Sequence, residues 1–263
     1  MKVSYKASIV LITLTLSLAG VFFSSSALGV DETAQTKSDG RPQNADAYYK
    51  RALTQTEQGL YKQAVENCNR AMSLSRDKSL TFNILQCRAA AFAGLGDDPQ
   101  ALEDASKVLQ IDPHNVVMLG IRATLYADQK KLNEAMADYN KIISLKPASP
   151  EILNATYSGR AALREDLKQF QEQVEDASKA ISFDPNDYES YSLRGRGNFE
   201  LKKFELAIID FTRAIQPNPK AANYYLERAA AYTNAGKKDL AIADTKTAAK
   251  LGANVGTAAG AGK

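Results

Sequence analysis

Tryptophan is absent from the 263 residues, histidine occurs once and cysteine twice. Catalytic triads and most catalytic zinc sites require histidine, so the lone His114, which follows Pro113 in a predicted loop, supports neither. The sequence also lacks a Cys-x-x-Cys pair, a phosphate-binding glycine loop and a nucleophile motif. We therefore expect a protein that is not an enzyme and that has no cofactor and no metal.

A strong excess of charge is missing as well. Lys and Arg number 33 against 30 Asp and Glu, which gives a net charge of +3. Such a small net charge gives no general attraction for nucleic acid. Apolar residues make up 44% and charged residues 24%, a mixture that can bury a core and is not typical of a disordered chain.

The N-terminal segment resembles an export signal in its order of residues. Lys2 and Lys6 precede the 17 uncharged residues from Ala7 to Phe23, and small residues follow up to two cleavage points, after Ala27 or after Gly29. This order is typical of a secretory signal. We expect export to the periplasm or the extracellular space. An uncleaved membrane anchor is the alternative, because the run just reaches the ~17–25 residues that cross a bilayer.

Most of the remaining chain repeats itself at intervals of about 34 residues. The stretch RGRGNFELKKFELAIIDF from Arg194 matches RAAAYTNAGKKDLAIADT from Arg228, 34 residues later. Each unit is predicted to contain two helices, and small residues recur where the two helix backbones would approach closely. Six units follow, with short insertions at 79–81 and 150–153: 45–78, 82–115, 116–149, 154–187, 188–221 and 222–255.

A helix–turn–helix unit of this period, repeated six times, resembles the tetratricopeptide repeat. The resemblance implies an all-α fold, a right-handed α-solenoid of six units, in which first helices line a concave groove. Gln173 occupies a position where the second helix of unit four should have a small residue, so we expect that helix to be displaced or loosened. The predicted organisation is a signal peptide, a flexible linker, the solenoid and a flexible tail: 1–27, 28–44, 45–255 and 256–263.

Two charged positions recur with the repeat. Arginine is the seventh residue of every unit: Arg51, Arg88, Arg122, Arg160, Arg194 and Arg228. Aspartate follows 16 residues later in five units, and Asn67 takes its place in the first: Asp104, Asp138, Asp176, Asp210 and Asp244. Because a half-buried arginine needs a carboxylate partner, we predict a structural ladder of Arg–Asp pairs. A stripe that binds anions is the alternative.

The resemblance also implies where a partner would bind, on the first helices that line the groove. Those positions in this chain are Tyr49, Leu53, Gln86, Asp128, Ser158, Glu165, Asp166, Glu189, Arg196, Phe199, Glu200, Asn223 and Leu226. Their ionisable members are acidic apart from one arginine, which favours a neutral or basic peptide. Some family members bind acidic chaperone tails with a Lys–Asn clamp, which Tyr49 and Leu53 replace here. Ordinary solvated helix faces are the alternative.

Two further features concern covalent modification. Cys68 and Cys87 fall on neighbouring predicted helices, so they are candidates for a disulfide in an oxidising compartment. The alternative is that both are buried free thiols. The triplet Asn154-Ala155-Thr156 is a glycosylation sequon, which matters only if the source is a eukaryote.

Together these features predict an exported scaffold or adaptor that binds a protein or peptide in its groove. A stably bound subunit of an envelope or secretion assembly is the alternative function. We expect no nucleic-acid partner and no membrane contact beyond an uncleaved N-terminal anchor. The fold by itself names no partner.

Overall fold

The computed structural model describes residues 44–253, so the predictions for the signal peptide, for linker residues 28–43 and for the tail lie outside the described residues. Within 44–253 the chain is all-α. Its twelve helices are α1 Ala45–Glu57, α2 Tyr61–Leu74, α3 Lys78–Leu95, α4 Asp98–Ile111, α5 Val116–Asp128, α6 Leu132–Leu145, α7 Pro150–Asp166, α8 Phe170–Phe183, α9 Tyr188–Glu200, α10 Phe204–Ile215, α11 Ala222–Asn234 and α12 Lys238–Lys250.

The helices pack in consecutive antiparallel pairs, as the repeat predicts. The chain divides after Thr156 into two compact units. In the first unit α1 packs on α2, α3 on α4 and α5 on α6. Helix α2 also contacts α3, and α4 contacts α5. In the second unit the same order runs from α8 to α12. None of these twelve helices is long and apolar enough to cross a membrane.

Small side chains allow the close packing within each pair. Ala52, Ala89 and Ala123 on first helices are fully buried, as are Ala101 and Ala135 on second helices. In the second unit, Gly195 takes this position against the ring of Phe211, where an added Cβ would lie 2.8 Å from the ring edge. The repeated small residues therefore set the distance between paired helices.

The two short insertions that the repeat alignment leaves over are helical. Residues 79–81 and 150–153 form the first turns of α3 and α7, which have 18 and 17 residues. Asp77 caps α3 by accepting a bond from the Ser79 amide at 2.8 Å, and Ser149 Oγ accepts from the Ile152 amide at 3.2 Å. The extra residues lengthen a helix because a capping residue precedes each of them.

The expectation that the second helix of unit four is displaced is wrong. Helix α8 is continuous, and Gln173 is fully buried within it. Its Nε2 donates to the Leu193 carbonyl of α9 at 2.8 Å. Gly197 makes room on α9, because an added Cβ would lie 3.3 Å from Gln173 Cδ and 2.8 Å from Val174 Cγ2. A small residue on the partner helix thus compensates for the large one.

The turn inside each pair contains a residue with positive φ. Glycine fills this place in three units, as at Gly236 with φ +78°, and lysine fills it in the other three, as at Lys202 with φ +60°. A left-handed conformation costs a residue with a Cβ roughly 1–2 kcal/mol relative to a right-handed one. The three lysine turns are therefore strained, and the three glycine turns are not.

We expect Lys202→Gly to raise the free energy of unfolding by about 0.5 kcal/mol. The relieved strain of roughly 1–2 kcal/mol exceeds the entropic cost of glycine, roughly 0.5–1 kcal/mol. Gly236→Ala should lower the free energy by about 1 kcal/mol for the converse reason. Urea denaturation measures both changes. Lys203→Gly is the matched control, because Lys203 has φ −87°; an equal gain there would contradict the strain.

Candidate partner-binding face

Arginine–aspartate pairs join the two helices of five repeats. In each, the arginine Nε and Nη2 bind the two carboxylate oxygens, as for Arg88 and Asp104 at 2.7 and 2.9 Å. The aspartates are buried, and the arginine side chains are only 14–26% exposed. The other pairs are Arg122–Asp138, Arg160–Asp176, Arg194–Asp210 and Arg228–Asp244. The Asp partner raises the pKa of Arg88, Arg122 and Arg228 through hydrogen bonding, against the opposing effect of burial.

Three of these arginines, Arg88, Arg194 and Arg228, also reach back to the preceding repeat. Nη1 of Arg88 donates to Asn69 at 2.7 Å, and Nη1 of Arg228 donates to Thr212 Oγ1 at 3.0 Å. Each guanidinium also lies near an aromatic ring, such as that of Phe92 at 5.8 Å from the Arg88 carbon. One arginine thus binds three consecutive helices. Because a carboxylate occupies each fork, the charge that an anion would need is neutralised.

The first repeat departs from this arrangement. Arg51 is exposed, and the Asn67 that replaces aspartate donates instead to Gln55 Oε1 at 2.7 Å. Gln55 in turn donates to Gln63 at 3.1 Å. A network of neutral amides therefore joins α1 to α2 where the later repeats use an ion pair.

We expect Asp210→Ala to lower the free energy of unfolding by about 3 kcal/mol. The change would leave Arg194 and the Asn198 amide without the buried acceptor that both now use. Chemical denaturation measures the loss. Glu175→Ala, on the exposed side of α8, is the control and should change stability by less than about 0.5 kcal/mol. Equal losses of stability in the two variants would show that the Arg194–Asp210 pair does not stabilise the fold.

In the first unit, the predicted groove residues belong partly to the core. Tyr49 and Leu53 are half-buried and pack against the cluster around Cys68 and Cys87. Burial raises the pKa of Tyr49 above its usual range. Gln86 accepts a bond from Asn115 at 2.9 Å, and Asp128 is half-buried. In this unit the structure therefore gives the predicted positions roles in packing and hydrogen bonding.

The second unit presents more of the predicted face to solvent. Three of its acids are exposed: Asp166, Glu189 and Glu200. Half-buried members of the predicted set lie among them: Ser158, Glu165, Arg196, Phe199, Asn223 and Leu226. The Phe199 ring packs edge-on against Phe204 at 5.5 Å. The exposed charge on this part of the face is thus entirely acidic.

Arg196, the one base in the predicted set, is held by acids from both neighbouring first helices. Its Nε and Nη2 donate to Glu165 of α7 at 2.7 and 3.1 Å. Its Nη1 donates to Ser192 at 2.8 Å and approaches Glu227 of α11 at 3.4 Å. Although burial opposes it, the charge of Glu165 raises the pKa of Arg196. Burial also raises the pKa of the Glu227 carboxyl. The charge of Arg196 and the hydrogen bond from Ser192 lower this pKa and offset only part of the rise.

Sequence reasoning missed Glu227, Tyr224 and Tyr188 as members of this face. Glu227 occupies the sixth position of its unit, where the four preceding units have buried Cys87, Ile121, Gly159 and Leu193. A charged residue at a position that units two to five fill with an apolar residue or glycine was the available signal, although the first unit also has a charge there, Lys50. The two tyrosines gave no such signal, because aromatic residues recur on these helices as core.

Both cysteines are buried free thiols in the structure. A hydrogen bond between them, with burial as the second cause, raises the pKa of the Cys68 thiol. The Cys87 sulfur also lies 3.6 Å from Thr56 Oγ1. The pair thus lies in the α1–α3 core, where the sequence placed it on neighbouring helices.

Modification and metal binding find little support on the folded surface. Asn154 and Thr156 of the sequon are each only 3% exposed. Across residues 44–253, no three His, Cys, Asp or Glu side chains come together as metal ligands. His114 lies in an exposed loop, where its amide bonds Asp112 at 3.0 Å.

Comparison with known proteins identifies the repeat. The family model of the tetratricopeptide repeat matches residues 45–78 and 118–149. Sperm-associated antigen 1 of Mus musculus is 38% identical over 89 residues, which are 34% of this chain and 9% of that protein. The chain thus spans only about a tenth of the length of the curated relatives it matches. These matches identify tetratricopeptide repeats at 45–78 and 118–149, and the structure repeats the same helix pairing along the described residues.

Solved structures share the fold. A tetratricopeptide repeat protein from Parabacteroides merdae superposes with a TM-score of 0.59 at 23% identity, over 95% of this chain and 94% of that one. YrrB, described as a tetratricopeptide protein with an unusual peptide-binding site, gives a TM-score of 0.57 at 15% identity, over 72% and 93%. At these identities the likeness establishes the fold alone.

Proposed function

We propose that this chain is an exported scaffold or adaptor that binds an extended protein segment, neutral or basic in charge, along its first helices. The tetratricopeptide-repeat fold supports a role in protein interaction, because most proteins of this fold are scaffolds and not enzymes. YrrB, with its peptide-binding site, is a solved example of the same architecture. The proposal assigns this chain no chemical step.

The observation that carries the proposal is that the exposed charged residues of the predicted face in the second unit are all acidic. Asp166, Glu189 and Glu200 are exposed, whereas the only base, Arg196, already binds Glu165 and Glu227. Such a face attracts basic segments and repels acidic ones. Tyr49 and Leu53, which stand where the family's chaperone clamp has Lys and Asn, provide no charge for an acidic tail.

Export is the part of the proposal that depends on the N-terminal sequence. We expect the full-length chain, expressed in a bacterium with a C-terminal tag, to be recovered outside the cytoplasm with Leu28 or Val30 as its first residue. N-terminal sequencing of the recovered protein measures this. Replacing Leu11 and Leu16 by Arg should block export, because it interrupts the apolar run. Recovery of an intact N-terminus in the membrane fraction would favour the anchor instead.

Binding is tested by affinity capture with residues 28–263 as bait and mass spectrometry as the readout. We expect the native chain to retain a partner that the variant Asp166→Lys/Glu200→Lys loses, because two exposed acids of the face become bases. Glu172→Lys/Glu175→Lys makes the same charge change on the exposed side of α8 and should retain the partner. A partner kept by both variants would contradict binding on the first helices.

The salt dependence of the captured complex separates the two functions. An adaptor that binds mainly through charge should release its partner as ionic strength rises, since exposed charges are screened beyond a Debye length of about 8 Å at physiological salt. A permanent subunit of an envelope or secretion assembly would keep its partner in 1 M salt, because larger obligate interfaces are more apolar.

A further inference from the structure

Helices α9 and α11 bring four side chains together beside Arg196, and we call this group the α9–α11 pocket: Tyr188, Ser192, Tyr224 and Glu227. The rings of Tyr188 and Tyr224 pack edge to face, with centroids 6.3 Å apart and planes at 67°. One turn further along both helices, Ser192 Oγ donates to Glu227 Oε2 at 3.1 Å. Two aromatic rings and a carboxylate therefore lie side by side between adjacent first helices.

The negative charge in this pocket is only partly balanced. Arg196 directs two nitrogens at Glu165, at 2.7 and 3.1 Å, and reaches Glu227 with one nitrogen at 3.4 Å. The Glu227 side chain is only 16% exposed. Glu165, Glu227 and Arg196 together carry one net negative charge, and the exposed Glu189 next to Tyr188 adds another. A carboxylate this buried is costly without a full counter-charge.

Tyr224 provides an independent observation. The residue is only 7% exposed, yet its hydroxyl forms no hydrogen bond with any residue in the described range 44–253. The oxygen is not among the buried polar atoms that lack a partner, so the hydroxyl reaches the surface, where an incoming side chain could bind it. Burial, reinforced by the charges of Glu189 and Glu227, raises the pKa of this hydroxyl. The hydroxyl therefore remains protonated at neutral pH, and its oxygen can accept a hydrogen bond.

We propose that this pocket, formed by Tyr188, Ser192, Tyr224 and Glu227, binds a lysine or arginine side chain of the partner segment. The proposal rests on the proposed function and adds a specific subsite to it. The cation would bind the acceptor positions that Arg196 and Ser192 leave open on Glu227, together with the Tyr224 hydroxyl. The two rings would supply cation–π contacts. A neutral side chain of the same shape would leave the charge of Glu227 uncompensated, and an acidic one would be repelled.

The test uses an array of peptides of about 12 residues, long enough to lie across several helices as an extended segment. Each peptide with a single arginine or lysine is paired with a twin in which citrulline or acetyl-lysine replaces it, so that only the charge differs. The probe is the mature chain, residues 28–263. We expect the charged peptide to bind at least about tenfold more tightly than its neutral twin, as close charge pairs at interfaces do.

Isosteric variants then locate the effect. Glu227→Gln should abolish the preference for the charged twin, and Tyr224→Phe should weaken it, whereas Glu175→Gln on the exposed side of α8 should leave it unchanged. Both pocket variants preserve shape, and circular dichroism with thermal melting verifies that they fold. Preference retained in Glu227→Gln overturns the subsite. Binding of peptides with no difference between twins overturns it too but leaves the scaffold function standing, whereas binding of no peptide contradicts both.

Discussion

The stacking of helices in this protein depends on one arginine in each of five repeats. Its guanidinium binds an aspartate of its own repeat through two parallel hydrogen bonds and, in Arg88, Arg194 and Arg228, also reaches a polar side chain of the preceding second helix. Planar bidentate geometry fixes orientation as well as distance, which a lysine could not do. Nonspecific apolar packing would tolerate sliding of one helix along the next, and the arginine prevents it. The small residues between paired helices then determine only the distance between the two helix axes.

Against that regular background, the charges of the face in the second unit are exceptions to the repeat. Arg196 occupies the ninth position, where other units have Leu53, Ala90, Thr124, Ala162 and Ala230. Glu227 occupies the sixth, where interior units bury an apolar residue or glycine. Their mutual ion pair reduces the cost of burying either one but does not balance Glu165 as well. A repeat protein gains specificity at such departures, because positions that follow the consensus are already required for stacking.

Much of this architecture could be predicted from the sequence, because a helix pattern that recurs in several units is more reliable than the same pattern seen once. The helix pairs and the 16-residue Arg–Asp spacing each recur, so chance resemblance at one site matters little. What could not be predicted arises where two departures compensate for each other. Gln173 alone suggests a displaced helix, and only the structure shows that Gly197 accommodates it. Likewise, residues 79–81 and 150–153 extend helices because Asp77 and Ser149 cap them. The predicted groove residues were those at positions that line the groove in the family. Glu227 is not at such a position, and the interior units have an apolar residue or glycine there, so the prediction missed it.

The burial of the sequon has a consequence for how this chain could be made. Asn154 and Thr156 lie near the start of α7, and only 3% of the surface of each is accessible. An oligosaccharide on Asn154 would require that helix to stay unpacked, so attachment and folding are mutually exclusive outcomes for the same nascent chain. In a host that glycosylates secreted proteins, the speed at which α7 forms would then determine how much of the product is correctly assembled. Within residues 44–253 the threonine hydroxyl bonds only the Ile152 carbonyl of its own helix, so removing it would release production from that competition at little structural cost.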